Sequence, residues 1–335
     1  MDMMMAEPSR KQRFLDTLLG DVPDRFPFFD LEPSEETVRE WHRQGLPKGR
    51  SVAAYFGLEI HYSVGLTIRS YPFYHKASGL LHDPTSFSRY YDPDEPSRYA
   101  KNFVKRAKRL NRKGRVLYVD ASGGGLLQML GVGDWESLKS ACYALIEEPR
   151  KVEDLLDRTT DFYCICLKRV LSQVRVDYAS LYEPIASNTG PVVSPAMFER
   201  FAIPGYRKVL NLLKAFEVPL RILTTTGGNL GSLLPSMIDA GINGLWISNI
   251  RSAGMEYGAL RRTFGPDLAL IGGIDSGVLH LDEATMRRKV KETVHPLLDS
   301  GHYLPCLDDR PRGNVTFPQY RLFRHILKEI AESKS

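Results

Sequence analysis

The tightest constraint on the fold lies between residues 220 and 309. Four short apolar runs follow one another there: Leu220–Thr226, Gly244–Asn249, Leu268–Asp275 and His302–Asp309. Each is apolar in its body and polar at its C-terminal end. The segments between them carry apolar residues at helical spacing. Strands buried on both faces read as continuous apolar runs, and repeated βα units place their chemistry at the strand C-termini. The chain is therefore expected to alternate strand and helix around a parallel sheet.

Four further strands are predicted upstream: Pro23–Asp30, the weaker Gly57–Val64, Val116–Ser122 and Asp177–Pro184. Eight strands, nearly all separated by helices, fit a closed (β/α)8 TIM barrel. An open doubly wound sheet would want an early glycine-rich cofactor turn, which is missing. The 335 residues suit one barrel of typically ~250 residues plus insertions. The expected organisation is a disordered tail over 1–9 and a single α/β barrel over 10–335. A lid-like insertion is expected over 65–100, where tyrosine, proline, serine and aspartate dominate; linkers lack such aromatics.

Local signals place the helices. Residues 9–20 read as a helix closed by Gly20. Ser34 caps a helix that opens with two glutamates and stops at Gly45. Pro149 divides two helices within 134–174, and Ser194-Pro195 opens another with an N-cap serine and an N1 proline. A break is expected near Pro204.

Composition narrows the class. The chain is 43% hydrophobic and 25% charged, and no apolar run approaches the ~18–20 residues that span a bilayer. Met1–Ala6 is too short and too acidic for a signal peptide, so a cytoplasmic location is expected. The four cysteines, 142, 164, 166 and 306, read as small buried hydrophobes rather than a disulfide framework. The net charge of +5 has its densest source in Lys101–Arg115. That run reads as a solvated amphipathic helix, with attraction for an anionic substrate or acidic protein as the alternative. No reader motif for nucleic acid accompanies it.

The strand ends carry the candidate chemistry. They are Asp30, Asp120 with Ser122, Glu183, Thr224–Thr226 with Asn229, Ser248 with Asn249, Asp275, and Asp308 with Asp309 and Arg310. Barrel strand ends converge, and clustered carboxylates push one another's pKa values apart, leaving one as acid and another as base. Glu183 is the first candidate for acid–base work and Asp308 the second. Arg310 or Arg312 would anchor a substrate carboxylate. Arg25, Asp30, Asp120, Asn188, Thr226, Asn229, Asp275 and Arg310 are candidate substrate contacts. Asp275 has a second reading, as the cap of the turn after Gly272-Gly273. Gly123-Gly-Gly125 reads either as a phosphate cradle or as a turn allowing close backbone approach. An oxygen-ligated metal held by Glu183, Asp275 and Asp308 is the alternative to no metal at all.

At this point the sequence resembles the uroporphyrinogen decarboxylase superfamily. Asn188-Thr-Gly-Pro191 with Ser194-Pro-Ala-Met-Phe198 is similar to its N-G-P-x-x-S-P-x-x-F run. Leu233–Gly244, Leu270–Asp275 and Gly301–Pro305 through Val315–Tyr320 resemble its later segments. The resemblance implies an enzyme acting on a small carboxylated or methylated substrate. Its first expectation is methyl transfer with a corrinoid supplied by a partner protein, the second is decarboxylation of a porphyrinogen-like polycarboxylate, and the third is a non-catalytic binding barrel. A homodimer is a family expectation. Two departures stand out. The decarboxylase's Arg-Gln-Ala-Gly-Arg-Tyr run is replaced by Arg25-Phe-Pro-Phe-Phe-Asp30. The zinc-binding His-x-Cys of the methyltransferases is replaced by Thr224-Thr-Thr226.

Overall fold

The computed structural model describes residues 8–21, 23–66, 87, 91–225 and 227–333. The chain divides into two compact units: residues 62–113 with 117–244, and residues 1–61 with 114–116 and 245–335.

The first unit is built on four parallel strands. These are β1 (Tyr62–Ser63), β2 (Leu117–Asp120), β3 (Tyr178–Tyr182) and, beyond a two-stranded hairpin of β4 (Ala186–Ser187) and β5 (Gly190–Pro191), β6 (Leu220–Thr225). The order is β1-β2-β3-β6, with Tyr118 opposite Tyr178 and Tyr178–Tyr182 opposite Leu220–Thr224. That register stacks the Tyr118 and Tyr178 rings 4.9 Å apart. Helices follow the strands as the sequence signals require. The long one, Pro149–Leu171, opens on its proline and buries Val152, Leu156, Phe162, Cys166 and Val170 along one face. Ser194 caps Pro195–Phe201 through the Met197 N–H, and a second helix, Ile203–Ala215, begins immediately after, so the break falls where Pro204 lacks an amide hydrogen. Most of the expected insertion, residues 67–86 and 88–90, lies outside the described residues. Its two ends meet: Leu66 bridges Tyr99, and the Ala100 N–H donates to the Gly65 carbonyl at 2.7 Å.

The second unit holds β7 (Gly244–Ile247) from its second residue on, β8 (Ala269–Ile271) and β9 (Tyr303–Leu304), adjacent in that order. β8 and β9 are parallel, with Leu270 opposite Tyr303 and a further bridge from Ile274 to Leu307. The C-terminal helix, Phe317–Glu332, starts in a capping box between Thr316 and Gln319 and buries Phe317, Tyr320, Phe323, Arg324 and Leu327. Trp41, from the Ser34-capped helix Glu35–Arg43, stacks on Tyr320 at 4.9 Å and donates to the Val315 carbonyl at 2.8 Å. The first helix, Arg10–Leu19, ends as expected at Gly20, whose φ is 96°.

One strand expectation fails. Pro23–Asp30 forms no strand. Pro23 and Pro27 lack amide hydrogens, and the Phe28 carbonyl instead accepts the Glu59 N–H at 2.6 Å while the Phe29 carbonyl accepts Arg324 at 3.3 Å. The other seven predicted runs all contain a strand. No helix among the described residues is long and apolar enough to cross a membrane.

Candidate active site

Glu183 follows β3 directly. Its N–H donates to the Thr224 carbonyl at 3.0 Å, and its side chain has no exposure at all. One carboxylate oxygen accepts the Leu126 N–H at 2.7 Å and the Tyr206 hydroxyl at 2.9 Å; the other faces the Leu127 N–H at 3.5 Å. The carboxylate therefore sits at the N-terminus of the short helix Leu126–Met129, where orphan amides favour an anion. Burial raises its pKa to about 7 against the opposing pull of Leu126, Tyr206 and Leu127. Tyr206 is itself pushed well above its usual range by burial and then by the neighbouring carboxylate.

This arrangement corrects the phosphate reading of Gly123-Gly-Gly125. The anion position at that helix start is filled by Glu183. The glycines serve close approach: a Cβ on Gly124 would lie 3.0 Å from Val209, and one on Gly125 would lie 3.0 Å from the Tyr182 carbonyl and 3.1 Å from the Glu183 carboxylate.

Asp120, at the end of β2, accepts the Ser122 N–H at 3.0 Å and the Ser122 hydroxyl, and Ser122 Oγ in turn accepts the Tyr182 N–H at 3.1 Å. Asn188 is exposed in the two-residue turn between β4 and β5. The Asn229 N–H donates to the Ser187 carbonyl at 2.8 Å, and its Oδ1 accepts the Gly231 N–H at 2.9 Å, so the loop after β6 is laced to the hairpin. Gly228, with φ at 92°, lies against the Ala186 backbone where no side chain fits. Thr226 lies outside the described residues. Thr224 makes 3.3 Å contacts with the Ser180 hydroxyl and the Leu181 carbonyl, and the Thr225 hydroxyl donates to the Gly227 carbonyl at 3.1 Å.

In the second unit Asp30 is enclosed rather than at an open rim. It accepts the Tyr320 hydroxyl at 3.0 Å, lies 3.5 Å from Arg324, and receives the Leu307 and Leu31 N–H groups at 3.3 and 3.2 Å. Desolvation lifts its pKa to about 6 in spite of Arg324. Arg25 is similarly engaged. It pairs with buried Glu59 at 3.0 Å, donates to the Phe26 carbonyl at 2.9 Å and lies over the Phe28 ring at 4.3 Å. Asp275 caps the short helix Ser276–His280, accepting the Gly277 N–H at 2.7 Å, which is the capping role considered for it.

Asp308 lies just past the bridge from Ile274 to Leu307 and is 2% exposed. Its Oδ1 accepts the Ser276 N–H at 3.0 Å. Burial first, then repulsion from Asp275 and Asp309, raises its pKa to about 6. Arg310 is exposed, and Arg312 pairs with Asp309 at 3.0 Å through Nε. Nearby, a Cβ on Gly272 would lie 3.5 Å from the Leu307 carbonyl and 3.6 Å from the Trp246 indole, whose ring also meets Phe29 edge-on at 5.2 Å. The Trp246 Nε1 is buried with no hydrogen-bond partner among the described residues.

Metal chemistry finds no support in these donors. Among the described residues no three His, Cys, Asp or Glu side chains are grouped to hold an ion. The carboxylates of the oxygen-ligand set already accept backbone N–H groups: Glu183 from Leu126, Asp275 from Gly277 and Asp308 from Ser276. Zinc prefers thiolate or imidazole, yet Cys306 is fully buried and its thiol is pushed well above its ordinary range by that burial, and the β6 threonines bond backbone carbonyls. These residues do not fit zinc.

With this geometry in hand, known proteins place the chain. Residues 95–305 match the family model for uroporphyrinogen decarboxylase (URO-D), well over half of the sequence. The chain belongs to the uroporphyrinogen decarboxylase family. Among individual relatives, the uroporphyrinogen decarboxylase of Trichlorobacter lovleyi is 27% identical over 168 residues, covering 49% of this chain and 44% of the relative. That of Geobacter metallireducens is 26% identical over 212 residues, covering 61% and 57%. The chain thus spans about half the length of these relatives. A methyltransferase from Methanosarcina mazei superposes with a TM-score of 0.61 at 16% identity, over 96% of this chain and 99% of that one. The family model and this superposition identify the fold class as the α/β TIM barrel.

Sequence reasoning missed the partners of the buried acids. Tyr206 was legible only as an apolar-face residue of its helix, although a buried tyrosine hydroxyl needs a partner. Tyr320 and Arg324, four residues apart on the apolar face of the last helix, carry the same signal for Asp30.

Proposed function

We propose that this uroporphyrinogen decarboxylase family member is an enzyme that transfers a methyl group from a small substrate, with Asp308 as the proton donor. One observation carries the choice of reaction: the Arg25 guanidinium is 3.0 Å from Glu59. Holding a polycarboxylate tetrapyrrole needs several available cations. Arg25 is neutralised by Glu59 and Arg312 by Asp309, Arg69 lies outside the described residues, and exposed Arg310 is the one remaining candidate cation of the four among the described residues. Expelling a heteroatom from a methyl group asks for less, chiefly a proton for the leaving atom. Asp308, with its pKa lifted to about 6, holds such a proton in mildly acidic solution.

In this reading the bond between methyl carbon and heteroatom breaks, the electron pair stays on the heteroatom, and that atom takes the Asp308 proton. Asp308 is held in place by the Ser276 amide. The Trp246 indole N–H, buried and without a partner among the described residues, supplies a donor for the substrate. A corrinoid carried by a partner protein is the methyl acceptor, a co-substrate rather than a resident group. A cytoplasmic homodimer belongs to the same reading on family grounds. Glu183, enclosed against its helix, is assigned a positioning role for the loop after β2 instead of proton transfer.

The names of the sequence relatives favour a second reading, decarboxylation of a porphyrinogen-like substrate. One experiment separates the two. The protein is incubated with free cob(I)alamin and a panel of methylated amines, thiols and aryl methyl ethers, and in parallel with uroporphyrinogen. Methylcobalamin formation without carbon dioxide release supports methyl transfer. Carbon dioxide release from uroporphyrinogen, with no donor demethylated, overturns it.

A further inference from the structure

The helix Phe103–Arg112 presents a face that neither the fold nor the proposed chemistry uses. Residues 101–115 contain eight lysines and arginines and no acidic residue. The helix buries only Ala107 and Leu110. Lys105, Lys108 and Arg112 are exposed, and among the described residues no carboxylate pairs with them. Most other exposed helices differ. Arg158, Arg207, Lys208 and Arg288 each hold an aspartate or glutamate within 3.1 Å.

The three cations are not scattered. They stand at i, i+3 and i+7, one stripe of a helix, and span about 10 Å along its axis. That stripe borders a groove of about 620 Å³ whose apolar wall is Tyr99, Phe103 and Val104. Among the described residues, every lining residue comes from the single stretch 99–112. A small-molecule pocket is normally enclosed by several elements. A groove walled by one helix and its lead-in is instead a surface, shaped to receive another surface.

We propose that this face docks an acidic amphipathic helix of a partner protein. Charge complementarity selects the occupant. Carboxylates repeating at i, i+3 and i+7 on the partner helix meet Lys105, Lys108 and Arg112, and an apolar side chain beside them enters against Phe103 and Val104. Opposed stripes of this kind accelerate encounter and fix register, and they weaken with salt. The inference is independent of which reaction the barrel carries out.

The test uses the full chain and a fluorescein-labelled helical peptide with glutamates at i, i+3 and i+7 beside a leucine, read by fluorescence anisotropy. The comparison peptides replace the glutamates by glutamines, or keep their number in scrambled positions. The protein variant is the triple exposed substitution Lys105→Gln, Lys108→Gln, Arg112→Gln, with its fold checked by circular dichroism. The expected result is saturable binding that weakens in 0.5 M sodium chloride, at least tenfold weaker binding by the triple variant, and a clear loss with both comparison peptides. Equal binding by the triple variant overturns the proposal. So does equal binding of the scrambled peptide, which would reduce the face to diffuse charge. Tripolyphosphate binding that is abolished in the triple variant, while the glutamate peptide fails to bind, also overturns it in favour of a small-anion site.

Discussion

Replacing Glu183 by glutamine should make the protein relatively more stable as pH rises. The carboxyl is fully buried, and its pKa is raised from 4.5 to about 7. A raised acid stabilises the fold while protonated in the native state, so its contribution is complete below about 4.5 and disappears as pH climbs through about 7. The shift of about two and a half pKa steps corresponds to roughly 3 kcal/mol at 1.36 kcal/mol each. Glutamine cannot ionise, so the variant lacks this loss. Near pH 4.5 the neutral acid and the amide are nearly isosteric, and the variant should be destabilised by about 1–2 kcal/mol, because its NH2 group faces the Leu127 N–H where an acceptor stood. By pH 8 that deficit should vanish or reverse. Urea unfolding at several pH values reads the difference directly, and the titrations of Asp30 and Asp308 cancel because both proteins share them. A stability difference that stays constant from pH 4.5 to 8 would refute the account of Glu183 as a buried, proton-binding helix anchor. Glu183→Ala should cost more, roughly 3–5 kcal/mol, since it leaves the Leu126 N–H and Tyr206 hydroxyl without an acceptor and opens a cavity.

Three further outcomes follow from the same geometry. Arg324→Ala should lower stability by roughly 3–5 kcal/mol at pH 7.5, because it leaves Asp30 buried without its cation; thermal unfolding should show the loss shrinking toward pH 5, where Asp30 is protonated. Gly125→Ala should cost about 1–3 kcal/mol, since its methyl group meets the Tyr182 carbonyl and the Glu183 carboxylate at 3.0 and 3.1 Å; a midpoint equal to the wild type's would mean those contacts relax freely. Arg25→Ala should reduce stability by releasing Glu59 and leave the KM of the methyl donor unchanged; a large rise in KM with intact stability would return Arg25 to substrate binding.

How far the sequence reached depended on which signals are local. Gly20, Ser34, Pro149 and Ser194-Pro195 mark helix ends through their own backbone chemistry, and the structure uses each of them as read. The apolar runs after residue 115 became strands because continuous burial leaves a continuous pattern. Pro23–Asp30 failed because its backbone groups are taken by Glu59 and Arg324, distant partners that no local pattern announces. The site residues divide the same way. Strand-end acids were legible as positions, while their roles depended on what faces them. Glu183 and Asp30, strand-end acids in the sequence, are enclosed by Tyr206 and by Tyr320 with Arg324. Asp275 could be read both ways in the sequence, and its contact with Gly277 makes it a cap. Asp308 keeps the position expected of a strand-end acid, and its raised pKa comes from burial, from Asp275, which comes near only once β8 and β9 are paired, and from Asp309, its neighbour in the chain.

The central claim is that Asp308 gives up the proton that methyl transfer requires, and the pH–rate profile of that transfer tests it most directly. An acid with a pKa of about 6 works while protonated, so kcat/KM for methylation of cob(I)alamin should be highest below about pH 6 and fall roughly tenfold per pH unit above it. Asp308→Asn should lose about 10²–10⁴ of the rate and show no such limb. A variant with the wild-type rate and the wild-type profile would contradict the claim.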